Sequence, residues 1–136
     1  MRTRQAGESA LLLLDAVDLL ERAGISYAVV GAMAAAVLSL SDEFGNRVDL
    51  LLGLRGLGPD AYARATVIPF QNSQLRVVGR EDFIAMKLFA YGPQDRIDAE
   101  HALLAAGEVP DLELLRKLAA AYGPETLAAL ERLLAR

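Results

Sequence analysis

The 136-residue chain has no cysteine, a single histidine (His101) and only two lysines (Lys87 and Lys117) among its 14 basic residues. Without cysteine, a disulfide framework and thiolate metal sites are excluded, and the composition is compatible with a reducing cytoplasm. One histidine cannot build a multi-histidine metal centre, and with no cysteine to activate it cannot form a Cys–His pair. There is no excess of positive charge either. The formal net charge is −4 and the sequence pI about 5.0, so no overall field draws the protein onto DNA or an anionic membrane. The scarcity of lysine beside twelve arginines, in a chain rich in Ala and Leu, points to a bacterial, GC-rich or thermophilic coding bias.

What is present is an apolar but ordinary globular composition, 54% hydrophobic and 24% charged, at a length that suits one domain. The expectation is a single cytoplasmic domain over 1–136, with an α/β part over about 9–79 and a helical part over 80–136. Arg2 and Arg4 precede an apolar run at Ala10–Leu14, but Asp15 and Asp18 interrupt it far too early for a signal-peptide core. Residues 23–41 carry no charge for 19 positions, long enough to span a bilayer. The stretch changes character at Gly31, from β-branched and aromatic residues to alanines, so it reads as a buried strand turning into a buried helix. No membrane span is expected.

The apolar spacing of Leu13, Ala16, Val17, Leu20 and Ala23 predicts a first helix over 9–23, stopped by Gly24. A strand over 26–30, a small-residue helix from Gly31 to about Leu40, a polar loop over 41–46 and a strand over 47–52 follow. One helical turn is expected at 60–64, and strands at 65–70 and 74–78 joined by Gln71-Asn72-Ser73. Helices are expected over 80–91, 94–106, 111–122 and 125–135, separated by glycine stops and proline starts. The sum is an α+β fold with one sheet of about four strands.

Three constellations carry chemical interest. Val30-Gly31-Ala32 would place backbone N–H groups of a helix start after a strand, a natural phosphate position, or it is a turn glycine followed by alanines that pack closely. Arg47-Val48-Asp49 sets an acid in a leucine-rich strand, where burial is costly unless it is paired, for instance with Arg47, or binds a cation. Lys87, four residues after Phe83, precedes Pro93-Gln94-Asp95-Arg96-Ile97-Asp98, whose two aspartates share a helix face. Antiparallel packing would bring Lys87 to them as an inter-helix ion pair. Arg96 and Glu100 are spaced as a surface pair, and His101 should pack beside Ile97 and Leu104.

In this order, over roughly residues 10–106, the constellations resemble the small prokaryotic nucleotidyltransferases of the DNA polymerase β superfamily, including minimal antitoxin-type and abortive-infection-type members. That family has a Gly-Gly or Gly-Ser helix start, an Asp-x-Asp on the next strand, and in many relatives a lysine segment followed by a Pro-x-Asp-xx-Asp helix. The resemblance implies a nucleotide at Gly31, Ala32, Arg47 and Lys87, with Asp49 as catalytic residue and Mg²⁺ ligand. It also shows erosion: the second glycine is Ala32, the first acid is Arg47, and Gln74-Leu75-Arg76-Val77-Val78 offers no third acid. Asp42 and Glu43 stand in a loop, where ligand geometry is loose.

Nucleotidyl transfer of this type needs hard oxygen ligands for Mg²⁺. The implied function is therefore a weak or silent relative that binds a nucleotide or other phosphate-bearing ligand, with Arg47, Arg76 and Arg80 as anion contacts. The alternatives are an active Mg²⁺-dependent enzyme that transfers a nucleoside monophosphate to protein, RNA or a small molecule, and a toxin–antitoxin-type protein partner. Leu112, Leu115, Leu127, Leu130 and Leu134 would either line a homo-oligomer interface or form core.

Overall fold

Glycines and prolines divide the chain into short elements, and the computed structural model, which describes residues 1–30, 38–51 and 54–136, follows those divisions closely. The architecture is mixed α+β, with six helices and two antiparallel two-stranded sheets among the described residues. It separates into two units, Met1–Leu54 with Ala65–Val77, and Arg55–Arg64 with Val78–Arg136.

The first unit contains α1 (Ser9–Arg22), β1 (Leu38–Ser41), β2 (Arg47–Leu50), β3 (Thr66–Phe70) and β4 (Ser73–Val77). Helix α1 ends in a Schellman motif: Gly24, at φ +67°, donates to the Glu21 carbonyl, and Ile25 donates to that of Leu20. Its buried stripe is Leu12, Leu14, Ala16 and Val17, shifted from the predicted one, with Ala23 exposed. Leu14 and Val17 pack on Leu75 of β4, flanked by Tyr27, Val29, Phe70 and Val77, so the apolar face of one hairpin covers the apolar stripe of one helix.

The β3–β4 hairpin turns at Gln71-Asn72, where Gln71 takes φ +54°, and pairs Thr66 with Val77 through Phe70 with Ser73. Two expectations fail here. Instead of a continuous strand over 26–30, the structure shows one parallel bridge, Val29 to Val77, with the Val29 N–H donating to the Arg76 carbonyl at 2.7 Å. Nor do the described strands join into one four-stranded sheet; they form two separate pairs.

Hairpin β1–β2 is a third departure. Leu38–Ser41 is a strand paired with Arg47–Leu50, not the end of a helix; Leu-Ser-Leu-Ser alternates with period two, a pattern suited to a pleated strand. The start of that predicted helix, at Gly31, lies outside the described residues. The intervening loop is built by Asp42, whose Oδ1 accepts from the backbone N–H of Phe44 (3.0 Å) and Asn46 (2.9 Å), and by Gly45 at φ +81°. Asn46 is almost fully buried. Its Nδ2 donates to the Gln5 carbonyl and to Asp42 Oδ2, both at 2.8 Å, and its Oδ1 accepts from the Glu8 N–H at 2.6 Å. One side chain thereby ties the N-terminal arm, the start of α1 and the hairpin loop.

The second unit contains α2 (Pro59–Ala63), α3 (Arg80–Ala90), α4 (Pro93–Leu104), α5 (Leu112–Tyr122) and α6 (Pro124–Leu134). Proline opens α2, α4 and α6, where a missing N–H has no cost, and Asp111 caps α5 by accepting from the Leu114 N–H at 2.9 Å. Ile84, Leu115 and Leu130 are fully buried, with Ala85, Ala99, Ala119 and Ala129 permitting close helix approach. Leu115 and Leu130 are therefore core, whereas Leu112 is exposed. Helix α4 buries only Ala99, so His101, Ile97 and Leu104 are exposed, against the expectation that they pack together. Among the described residues no helix is long and apolar enough to cross a membrane; within 23–41, residues 25–30 are not helical and 38–41 are a strand.

Candidate functional site

The acid singled out on the second strand sits at the middle of β2, directly across from Ser39 of β1. Strand alternation puts Arg47 and Asp49 on one face, and that face is open to solvent, the two side chains being 63% and 43% exposed. Exposure removes the desolvation cost anticipated for an acid among leucines. Asp49 Oδ1 accepts from Ser39 Oγ at 2.6 Å and from Arg47 Nε at 2.8 Å. These two bonds, that of Ser39 first, hold its carboxyl below the usual range against the opposing effect of partial burial.

This arrangement is a poor fit for Mg²⁺. The ion requires several hard oxygens in octahedral geometry, whereas here one carboxylate has an oxygen already committed to two donors, one of them a cation. Among the described residues no group of three or more His, Asp or Glu side chains is placed to hold a metal. Asp42 cannot be enlisted without undoing its loop, since both its oxygens accept bonds that build the turn and hold Asn46. Gly31 and Ala32, the remaining members of the expected phosphate position, lie outside the described residues.

Lys87 belongs to the helical unit. It is only 4% exposed, and its Nζ donates to Asp95 Oδ1 and approaches Asp98 Oδ2, both at 2.9 Å, while standing 5.5 Å above the Phe83 ring. The carboxylates are themselves held: Asp95 Oδ2 accepts from the Gly92 N–H at the start of α4, and Asp98 Oδ1 accepts from Gln94 Nε2. Burial pulls the Lys87 ammonium down, yet the bonds to Asp95 and Asp98 outweigh it and raise its pKa above the ordinary lysine value. The inter-helix ion pair anticipated from the spacing is formed. A lysine so enclosed and neutralised locks α3 to α4 and offers no free charge to a phosphate.

Other arginines are occupied as well. Arg80 donates to the carbonyls of Glu108 and Ala105, bracing the loop after α4. Arg96 and Glu100 do not pair; Glu100 meets Arg136 at 3.2 Å instead. A bidentate pair that the spacing did not indicate joins Arg64 Nε and Nη2 to Asp82 Oδ2 and Oδ1 at 2.8 and 2.7 Å, with Asp82 only 2% exposed. The available signal was Asp82 three residues after Gly79 at the start of α3, a helix-terminal acid rather than a surface one. Arg76 is exposed on β4.

Comparison with known proteins leaves these residues to speak for themselves: no family model, no curated protein and no solved structure matches the chain.

Proposed function

We propose that the chain is a nucleotidyltransferase-like protein with an eroded active site, which binds a nucleotide or another phosphate-bearing ligand and turns it over weakly or not at all. The observation that carries this reading is the Arg47–Asp49 pair: the one surviving acid of the metal motif is held by the arginine that replaces its partner. A guanidinium two residues from the carboxylate repels a divalent cation and attracts a phosphate. The pair is exposed, and exposed ion pairs contribute little, so an incoming phosphate can draw Arg47 away from Asp49. Lys87 drops out of the ligand set because its charge is spent on Asp95 and Asp98. The resemblance retains Gly31 and Ala32 as backbone donors, and a cytoplasmic, bacterial setting suits the cysteine-free, arginine-rich composition.

Calorimetric titration of ATP, CTP, GTP and UTP, with and without Mg²⁺, tests the reading. Binding should be independent of Mg²⁺, weakened by Arg47→Ala, and equal or tighter in Asp49→Ala, where Arg47 is released. Mg²⁺-dependent binding abolished by Asp49→Ala would instead establish an active metal site. Absence of binding to all four would favour a second reading, a protein-interaction partner of the toxin–antitoxin type, for which the exposed apolar side chains of Ile97, Leu104 and Val109 speak.

A further inference from the structure

Helix α3 is capped at its C-terminus by Tyr91, a non-glycine residue held at φ +55° with its N–H donating to the Lys87 carbonyl. The left-handed conformation fixes where the side chain leaves the helix, and the residue remains 45% exposed. Two arginines converge on it from different helices. Arg96 of α4 lies with its guanidinium carbon 5.4 Å from the ring centroid, and Arg132, in the last turn of α6, brings Nη2 to 3.5 Å from the phenol oxygen. Among the described residues neither arginine meets a carboxylate: Glu100, one helical turn beyond Arg96, is taken by Arg136, and Asp95 and Asp98 are taken by Lys87.

Two like charges directed at one phenol, on a protein whose net charge is −4, form an arrangement that an anion would relieve. The phenol responds to the same field. The Arg132 hydrogen bond and charge, with a smaller contribution from Arg96, lower the Tyr91 pKa below its ordinary value.

We propose that Tyr91, Arg96 and Arg132 form an anion site that binds a phosphate dianion, either inorganic phosphate or the terminal group of a phosphate monoester. Each guanidinium offers paired N–H donors that match phosphate oxygens, and the Tyr91 hydroxyl donates a further bond. The site lies wholly on the helical unit and involves none of Gly31, Ala32, Arg47 and Asp49, so it goes beyond the function proposed above and stands or falls separately.

The test follows the Arg96 and Arg132 side-chain Nε–H signals by NMR while the full chain, carrying Arg47→Ala to silence the other candidate site, is titrated with inorganic phosphate and, separately, with AMP. Sodium chloride at matched ionic strength serves as the control. Saturable shifts at both arginines are expected with phosphate, and they should weaken at least about tenfold in Arg132→Gln, the loss of one charge-assisted contact. Tyr91→Phe should weaken them less, and Arg96→Gln, checked by circular dichroism for an intact fold, should repeat the Arg132→Gln result. Equal responses to phosphate and AMP would identify the shared phosphate as the ligand, and a stronger response to AMP a nucleotide source. Shifts matched by chloride, or affinities unchanged in both arginine variants, would overturn the proposal.

Discussion

Two sets of ion pairs, one in each unit, handle charge in opposite ways. In the helical unit, Asp82 and Lys87 are buried at 2% and 4% exposure, and each is fully engaged by a partner of opposite sign. In the α/β unit, Arg47 and Asp49 meet on a solvent-facing strand, where a bond of similar length, 2.8 Å, costs far less to break. Burial, rather than distance, decides which pair is a structural lock and which is a surface available to a ligand. Lys87 and Asp49, named together by family resemblance, thus differ in kind: one holds two helices, the other rests against an arginine that can leave it.

The largest expected effect lies in the lock. Lys87→Ala strips the cation from Asp95 and Asp98 and opens a cavity beside Phe83, and should cost about 3 kcal/mol in urea denaturation. The same variant sharpens the comparison through pH. The Lys87 hydrogen bond, then that of Gln94, depresses the Asp98 carboxyl, so its stabilisation is present above the ordinary carboxylate pKa of 3.8 and is lost as pH falls through the lowered value. Lys87, raised above 10.5, contributes fully below that pH and loses its contribution as pH rises through its folded value. Wild-type stability should decline at both ends, and Lys87→Ala should flatten both limbs.

Next comes Gly56, at φ +79°, where an added Cβ would fall on the Tyr122 hydroxyl that donates to the Arg55 carbonyl. Gly56→Ala combines backbone strain with displacement of Tyr122, which is stacked on Phe89 at 4.9 Å, and should cost about 2 to 3 kcal/mol by the same denaturation measurement. In the α/β unit, Asn46→Ala leaves the Glu8 N–H and Gln5 carbonyl without their buried partner, a loss of about 2 kcal/mol, with faster amide exchange at Glu8 as a second readout. Arg47→Ala is the smallest: its melting temperature should be indistinguishable from that of wild type. A clear destabilisation there would break the contrast between the two units.

Much of the fold was legible because the punctuation is strong. Gly24, Gly79, Gly92-Pro93 and Gly123-Pro124 mark helix ends that the structure reproduces within a residue or two, and the Gln71-Asn72 turn falls inside the expected hairpin. The alanines before Leu38-Ser39-Leu40 carry the expected helix through a segment whose period has already changed to two, and which is a strand. Strand pairing was harder still. Whether four short strands form one sheet or two pairs depends on long-range contacts, such as Val29 with Val77, that no local pattern encodes.

The candidate site divides in the same way. Spacing correctly brought Lys87 to Asp95 and Asp98, since a short proline-started hairpin of helices leaves few other geometries. It could not foresee that the Arg47 face would be solvent-exposed, because alternation along a strand defines two faces without saying which one is covered. Arg96, read as the neighbour of Glu100, turned instead to the Tyr91 ring, a contact across the α3–α4 connection.

The state of the Asp49 carboxylate is decisive, and the direct measurement is its side-chain ¹³C signal during a Mg²⁺ titration. At any fixed ATP concentration, zero included, added Mg²⁺ should move the signal no further than ionic strength predicts, since Oδ1 is held by Ser39 and, until a phosphate draws it away, by Arg47. A saturable shift on adding Mg²⁺ with ATP, lost when the cation is chelated, would show that Asp49 binds metal and would contradict the proposal of an eroded site.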